Sequence, residues 1–145
     1  LADALALGDE EKPDLMIDIA TLTGAARVAT GMDLPPVFTD DDALAADFHI
    51  HCMGNHDPVW RLPIWQPYDK QLNSKVADIN NISDSPFGGA IIAALFLKRF
   101  VTQTSSWAHL DISAWNGSAR PGKPAGGEAM GIRGIFAMLK ERYPG

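Results

Sequence analysis

The stretch "LMIDIATLTGAA", residues 15–26, decides the fold of this chain because its character changes abruptly at its centre. The apolar run at residues 15–20 predicts a buried strand, and the small residues from Gly24 onward predict a helix. In open α/β sheets, ligands bind outside the carboxyl ends of strands, where helix N-termini add positive partial charge. The stretch is therefore either one wall of a binding site or a tight turn that only connects two elements.

Segments typical of strands and helices alternate along the rest of the chain. The chain begins with a helical pattern at residues 1–7. Hydrophobic patterning predicts strands at 15–20, 76–81 and 107–115, an extended piece at 35–40, and further helices at 41–54, 89–101 and 128–142. Such alternation predicts an α/β fold, with a mostly parallel sheet and helices on both faces in three α/β/α layers. We expect residues 1–145 to form part of one domain.

Composition narrows the classes of protein. The 145 residues are 46% hydrophobic and 21% charged, which is typical of a soluble globular chain. The net charge of −6 argues against nucleic acid as a partner, because phosphate binding requires a basic surface. A single cysteine, Cys52, excludes an internal disulfide and suits a reducing compartment. No apolar run is long enough to span a bilayer and no signal peptide is visible, so we expect a cytoplasmic protein without a membrane partner.

The chain starts with "LADALAL" and not with Met, and Gly8 and Pro13 follow soon after. This pattern is typical of a helix that is ending and not of a domain that is opening. The sequence therefore predicts an N-terminally truncated part of a domain, so a site could have lost its other half.

One segment is rich in potential metal ligands. "HIHCMGNH", residues 49–56, contains His49, His51, His56 and Cys52. Zinc requires ligands that converge tetrahedrally. Residues two apart on a helix point to different sides, so the helical pattern favours solvated or structural histidines over a metal site.

The strand "WAHLDI", residues 107–112, places His109 and Asp111 on one face. Such a pair could serve acid–base chemistry, but no nucleophile accompanies it, which favours a structural role. The small residues of "SPFGGAIIAA", 85–94, suit a substrate pocket and helix packing equally. Trp60 and Trp65, among prolines, favour packing of a loop or an interface over ligand stacking.

Several motifs together resemble the leucine aminopeptidase (cytosol aminopeptidase) family. They are "LADAL" at residues 1–5, "DIATLTGA" at 18–25, "VADINN" at 76–81, "GGAIIAALFLKRFV" at 88–101 and "WAHLDI" at 107–112. The resemblance is specific because these motifs occur together, in the family's order, along nearly the whole chain. "GGEAMGIRGIF", residues 126–136, departs from the usual C-terminal pattern and indicates a divergent branch.

The resemblance implies the C-terminal part of the catalytic domain of a hexameric enzyme that removes N-terminal residues from peptides. It implies two divalent metal ions, Mn or Zn, in the intact enzyme. The family's metal ligands and its catalytic Lys and Arg precede "LADAL", so the resemblance places no catalytic or metal-binding residue in this chain and no metal bound by it. It does place Thr21, Leu22, Gly24, Ala90 and Ala93 in the substrate site.

Two other interpretations stay open. The chain could belong to a non-catalytic scaffold or oligomerisation relative that keeps the fold. It could also be a phosphate-binding α/β module, which rests on the helix start at "TLTG", residues 21–24, because "GGEAMG", residues 126–131, matches neither G-x-G-x-x-G nor a P-loop. Two metal-binding carboxylates upstream of Leu1 would favour the enzyme.

Overall fold

A computed structural model describes residues 1–145 as an α/β fold with five α-helices, one 3₁₀ helix and six strands. The helices are α1 Ala2–Glu10, α2 Gly24–Thr30, α3 Asp42–Gly54, the 3₁₀ helix Gln66–Leu72, α4 Gly89–Lys98 and α5 Ile132–Arg142. The strands are β1 Met16–Ala20, β2 Pro36–Phe38, β3 Trp60–Leu62, β4 Trp107–Asp111, β5 Trp115–Asn116 and β6 Gly126–Gly127.

The main sheet has four strands in the order β1-β4-β2-β3. β1 runs parallel to β4 and β2 runs parallel to β3, whereas β2 and β4 are antiparallel. The predicted α/β class with a mostly parallel sheet is therefore confirmed. Ala20 pairs with Asp111 at the last position of the β1–β4 ladder, so these two strands end side by side. β5 and β6 form a separate antiparallel ribbon.

One face of the sheet packs against α3 and α5. A single apolar core fills this layer, and its buried members are Val37, Leu44, Phe48, Cys52, Val59, Ala108, Leu110, Ile135 and Met138. A Cβ atom at Gly134 would lie only 2.3 Å from the Cys52 sulfur, so glycine is needed where α5 crosses α3. Burial, and then the charge of Asp57, raises the pKa of the Cys52 thiol to about 12, so this cysteine is not a reactive nucleophile.

The opposite face packs against α1, α2 and α4. Three smaller apolar clusters lie here, around Trp107, Phe38 and Leu72, and α4 contributes residues to each of them. Buried aspartates lie among these clusters instead of a continuous apolar layer; they include Asp9 and Asp18. The two covered faces give the three layers that the sequence predicts.

Several predicted elements differ from the structure: among them, α1 continues to Glu10 and α4 ends at Lys98. β4 does not continue to residue 115, because the chain turns at Ala114, whose φ is +52°. α5 begins at Ile132 instead of residue 128, after Gly131 with φ +79°. Residues 76–81 contain no strand.

None of the helices combines the length and apolar character needed to cross a bilayer.

Candidate functional site

The turn at residues 21–24 leaves the carboxyl end of β1 and is held by a side chain from the neighbouring strand. The Asp111 carboxylate, at the end of β4, accepts the N–H of Leu22 at 3.0 Å and that of Thr23 at 3.1 Å. The Thr23 hydroxyl donates to the same carboxylate at 2.5 Å and accepts the N–H of Ala26 at 3.0 Å. Thr23 is thus the N-cap of α2 and also its link to the sheet.

A cavity of about 650 Å³ lies beside this turn. Leu22 and Thr23 form part of its wall, and the start of α1, the end of the 3₁₀ helix, the segment 81–85 and one side of α4 form the remainder. The α4 residues that line it are Gly89, Ile92, Ala93, Phe96 and Leu97. A mostly apolar cavity with a few polar groups at one wall is the usual form of a small-molecule or side-chain pocket.

The five predicted substrate-site residues fall into two groups. Leu22 and Ala93 line the cavity, and Thr21 and Gly24 lie next to it in the same turn. A Cβ atom at Gly24 would meet no atom of this chain within 4 Å. Ala90 instead lies in the core: it is 5% exposed and is clustered with Ala26, Phe38 and Ala94. The structure therefore brings Thr21, Leu22, Gly24 and Ala93 together at the cavity, whereas Ala90 lies behind them in the core.

His109 and Asp111 do not act on each other. The His109 Nδ1 atom lies 2.6 Å from a carboxylate oxygen of Asp18 on β1, and the Trp107 indole N–H donates to the other oxygen at 2.9 Å. His109 is fully buried and stacks with Phe38 and Trp107. This burial and these contacts favour the structural role over acid–base chemistry on a substrate.

The histidines of residues 49–56 diverge, as their spacing predicts. His49 lies edge-on against Trp60, and the His51 Nε2 atom lies 3.7 Å from a carboxylate oxygen of Glu141. No group of three or more His, Cys, Asp or Glu side chains is arranged to hold a metal ion. The donor set within residues 1–145 therefore does not fit a dinuclear metal centre, and a metal bound beside the turn would need ligands from elsewhere.

The remaining candidates from the sequence are two tryptophans and the glycine-rich C-terminal segment. Trp60 and Trp65 are 50% and 54% exposed. Gly126 and Gly127 form β6, and Glu128 is paired with Lys123 at 2.5 Å. The N–H groups of Glu128 and Gly131 already donate, to the Ala114 carbonyl and to the Asp57 carboxylate, so they are not free to bind a phosphate.

Two features of the site have no direct signal in the sequence. The first is the role of Asp111, which is 89 residues from Leu22 along the chain. A parallel pairing of "LMIDIA" with "WAHLDI" places both strand ends together and could have revealed it. The second is the contribution of Leu1, Asp3, Ile82 and other residues of the α1 start and the 81–85 segment to the cavity, which no local pattern marks.

Comparison with known proteins gives one consistent result. Residues 1–136 match the family described as the cytosol aminopeptidase family, catalytic domain. A probable cytosol aminopeptidase of Synechococcus sp. (strain CC9902) is 42% identical over 135 residues, which are 92% of this chain and 27% of the relative. One of Chlorobium phaeobacteroides is 39% identical over 143 residues, or 97% of this chain and 28% of the relative.

A solved structure agrees with these relatives. The crystal structure of the cytosol aminopeptidase from Coxiella burnetii superimposes with a TM-score of 0.93 at 51% identity. The match covers 98% of this chain and 31% of that one. The chain thus spans less than a third of the length of the proteins it matches.

Proposed function

Because this chain belongs to the cytosol aminopeptidase family, we propose that it forms the C-terminal part of the catalytic domain of an aminopeptidase that releases N-terminal residues from peptides. One observation carries the proposal. The turn at residues 21–24 leaves the end of β1, beside the end of β4, and borders the cavity of about 650 Å³. Ligands of open α/β sheets bind at this position of the fold.

In this proposal the chain supplies a wall of the substrate pocket and none of the catalytic groups. Thr21, Leu22 and Gly24 contribute the turn, and Ala93 contributes the side of α4, with Ala90 behind it. The apolar neighbours Ile92 and Phe96 on the same helix suit an apolar side chain at the N-terminus of a peptide.

The metal ions of the proposed enzyme, two divalent ions such as Mn or Zn, are assigned to ligands outside residues 1–145. The scattered positions of the His, Cys, Asp and Glu side chains, no three of which converge, support this assignment. A dinuclear centre polarises the scissile carbonyl and lowers the pKa of a bound water when it is present.

We further propose that the intact protein is a cytoplasmic homo-oligomer, a hexamer by family resemblance. The exposed apolar side chains of α5 support a covered surface: Ile132 is 53% exposed and Phe136 is 64% exposed. The acidic net charge of −6 supports a peptide over a nucleic acid as the partner.

Hydrolysis of leucine p-nitroanilide tests the function. The assay compares the intact protein encoded by the gene with residues 1–145 alone, each with added Mn²⁺ or Zn²⁺. We expect metal-dependent turnover by the intact protein and none by residues 1–145. Turnover by residues 1–145 would contradict the assignment of the ligands and return attention to His49, His51 and His56. A folded intact protein that binds metal and has no activity would favour the scaffold interpretation.

A further inference from the structure

We propose that Asp111 is a positioning residue of the aminopeptidase reaction, which holds the 21–24 turn so that the carbonyl groups of Thr21 and Leu22 face away from the sheet. This inference rests on the proposed function. Asp111 touches neither substrate nor reacting atoms, since it is 2% exposed behind the turn. It acts through the main chain that it holds.

The position of Asp111 follows from the sheet. β4 ends at Asp111 beside Ala20, the last residue of β1, and the N–H of Ile112 donates to the Ala20 carbonyl at 2.9 Å. The turn then folds back over the end of β4. Its two N–H groups and one hydroxyl reach the same carboxylate, at distances of 2.5–3.1 Å. Bonds to an ionised acceptor are about twice as strong as neutral ones, so the turn is held firmly.

The N–H groups of Leu22 and Thr23 point toward Asp111, and their direction determines where the neighbouring carbonyl groups point. A trans peptide places the carbonyl of one residue opposite to the N–H of the next, and this chain has no cis peptide bond. With the N–H groups of Leu22 and Thr23 on Asp111, the carbonyl groups of Thr21 and Leu22 point the opposite way. No backbone N–H of the chain donates to either carbonyl oxygen. Both are free acceptors on the exposed side of the turn, suited to the N–H groups of a peptide.

Two other buried aspartates use the same device on segments that do not line the cavity. Asp9 accepts the N–H groups of Thr102, Gln103 and Thr104, and Asp57 accepts those of Gly131 and Arg133. None of these loop residues lines the cavity beside the turn. A carboxylate that clamps a loop is therefore a structural device of this fold, and Asp111 is the one whose loop borders the candidate site. Asp9 provides the matched control.

The experiment compares Asp111→Asn with Asp9→Asn in the intact protein. Asparagine keeps the shape of aspartate, but its NH₂ group must face the N–H donors or the Thr23 hydroxyl. We expect kcat/KM for leucine p-nitroanilide to fall by about tenfold or more in Asp111→Asn, mainly through KM, because a misplaced turn weakens substrate binding. Asp9→Asn only reduces the folded fraction, which lowers the apparent kcat and leaves KM unchanged.

Two further measurements distinguish a positioning role of Asp111 from a general loss of folded protein. Hydrogen exchange at the amides of Leu22 and Thr23 should be slow in the wild type and fast in Asp111→Asn. Bound metal per subunit should be equal in both proteins, because Asp111 is not proposed as a ligand. Thr23→Ser keeps both bonds of the hydroxyl and Thr23→Val removes both, so KM should be higher in Thr23→Val than in Thr23→Ser. The threonine pair also tests the proposal if Asp111→Asn does not fold.

The outcomes are distinct. Absence of turnover by the wild-type intact protein would contradict the proposed function itself. An active wild type together with faster exchange and an unchanged KM in Asp111→Asn would overturn the positioning role. The same would follow if Asp9→Asn raised KM equally, or if Thr23→Val behaved as Thr23→Ser.

Discussion

The two faces of the sheet are built differently, although both are covered by helices. Toward α3 and α5, one apolar cluster of nine buried residues is continuous, and its helices approach until only glycine fits at position 134. Toward α1, α2 and α4, the apolar residues divide into three smaller clusters. Between them lie the buried carboxylates of Asp9, Asp18 and Asp111 and the cavity beside the turn.

We interpret the difference between the two faces as a separation of stability from the proposed function. A continuous apolar layer packs at high density and transmits any change of volume directly into the free energy of unfolding. A face divided by charged groups gives up apolar contacts, but the carboxylates of Asp9 and Asp111 each fix a loop at one position. Substitutions on the first face should therefore change stability, and those around the cavity should change activity.

The largest expected difference in stability and activity comes from introducing valine at a glycine of each region, Gly134 and Gly24. Gly134→Val forces a Cβ atom to within 2.3 Å of the Cys52 sulfur and 2.5 Å of its Cα atom. We expect it to lower the free energy of unfolding by about 3 kcal/mol or more through overpacking. Gly24→Val enters open space, so unfolding should change by less than about 0.5 kcal/mol, whereas kcat/KM of the intact protein falls by about tenfold or more.

Urea unfolding measures the free energy of unfolding, and hydrolysis of leucine p-nitroanilide measures kcat/KM. Gly117→Val is the control, since it also meets no atom within 4 Å and lies away from the cavity. It should change neither quantity. Unchanged kcat/KM in Gly24→Val would remove Gly24 from the site, and a stable Gly134→Val would mean that α3 and α5 can separate at little cost.

How much of this difference between the two faces can be predicted from the sequence depends on how far apart the contacting residues are along the chain. α3 is predictable because its signals are local: Asp41 caps the helix by accepting the N–H groups of Ala43 and Leu44. The turn at residues 21–24 is also visible as a local break in an apolar run. Its attachment is not, because Asp111 is 89 residues from Leu22. The register that joins them is a property of the assembled sheet.

The same limit applies along α4. Helical periodicity places Ala90 and Ala93 on neighbouring positions of one surface, yet Ala90 lies 5% exposed in the core and Ala93 lines the cavity. Which of the two faces the cavity depends on how α4 rotates against α2 and the sheet. Local sequence carries no information on that rotation.

A smaller effect is expected where a carboxylate stabilises a loop remote from the cavity. Burial disfavours the ionised form of Asp9, but hydrogen bonds from residues 102–104 outweigh it and hold the pKa well below its ordinary value of 3.8. We expect Asp9→Asn to lower the free energy of unfolding at pH 7 by about 1–3 kcal/mol. KM should not change.

The pH dependence follows from the sign of that shift. A carboxylate with a lowered pKa in the folded state contributes stability above its unfolded pKa and loses it as the pH falls toward the folded pKa. The difference in unfolding free energy between wild type and Asp9→Asn should therefore be smaller at pH 3 than at pH 7, by about 1 kcal/mol. Urea unfolding at both pH values measures it. Equal differences would mean that the charge of Asp9 is not what stabilises the loop.

A final pair of substitutions tests, within the single helix α4, where the packed core ends and the cavity begins. Ala93→Leu adds apolar volume to the cavity, so the ratio of leucine to alanine p-nitroanilide hydrolysis should fall by about tenfold, or about 1.4 kcal/mol, because a filled pocket favours the smaller side chain. Ala90→Leu makes the same change one turn earlier, against Ala26, Phe38 and Ala94. It should cost about 1–3 kcal/mol of stability by overpacking and leave the ratio unchanged. If Ala90→Leu shifts the ratio instead and Ala93→Leu does not, the substrate side chain lies on the core side of α4. The cavity beside the turn would then not be its pocket.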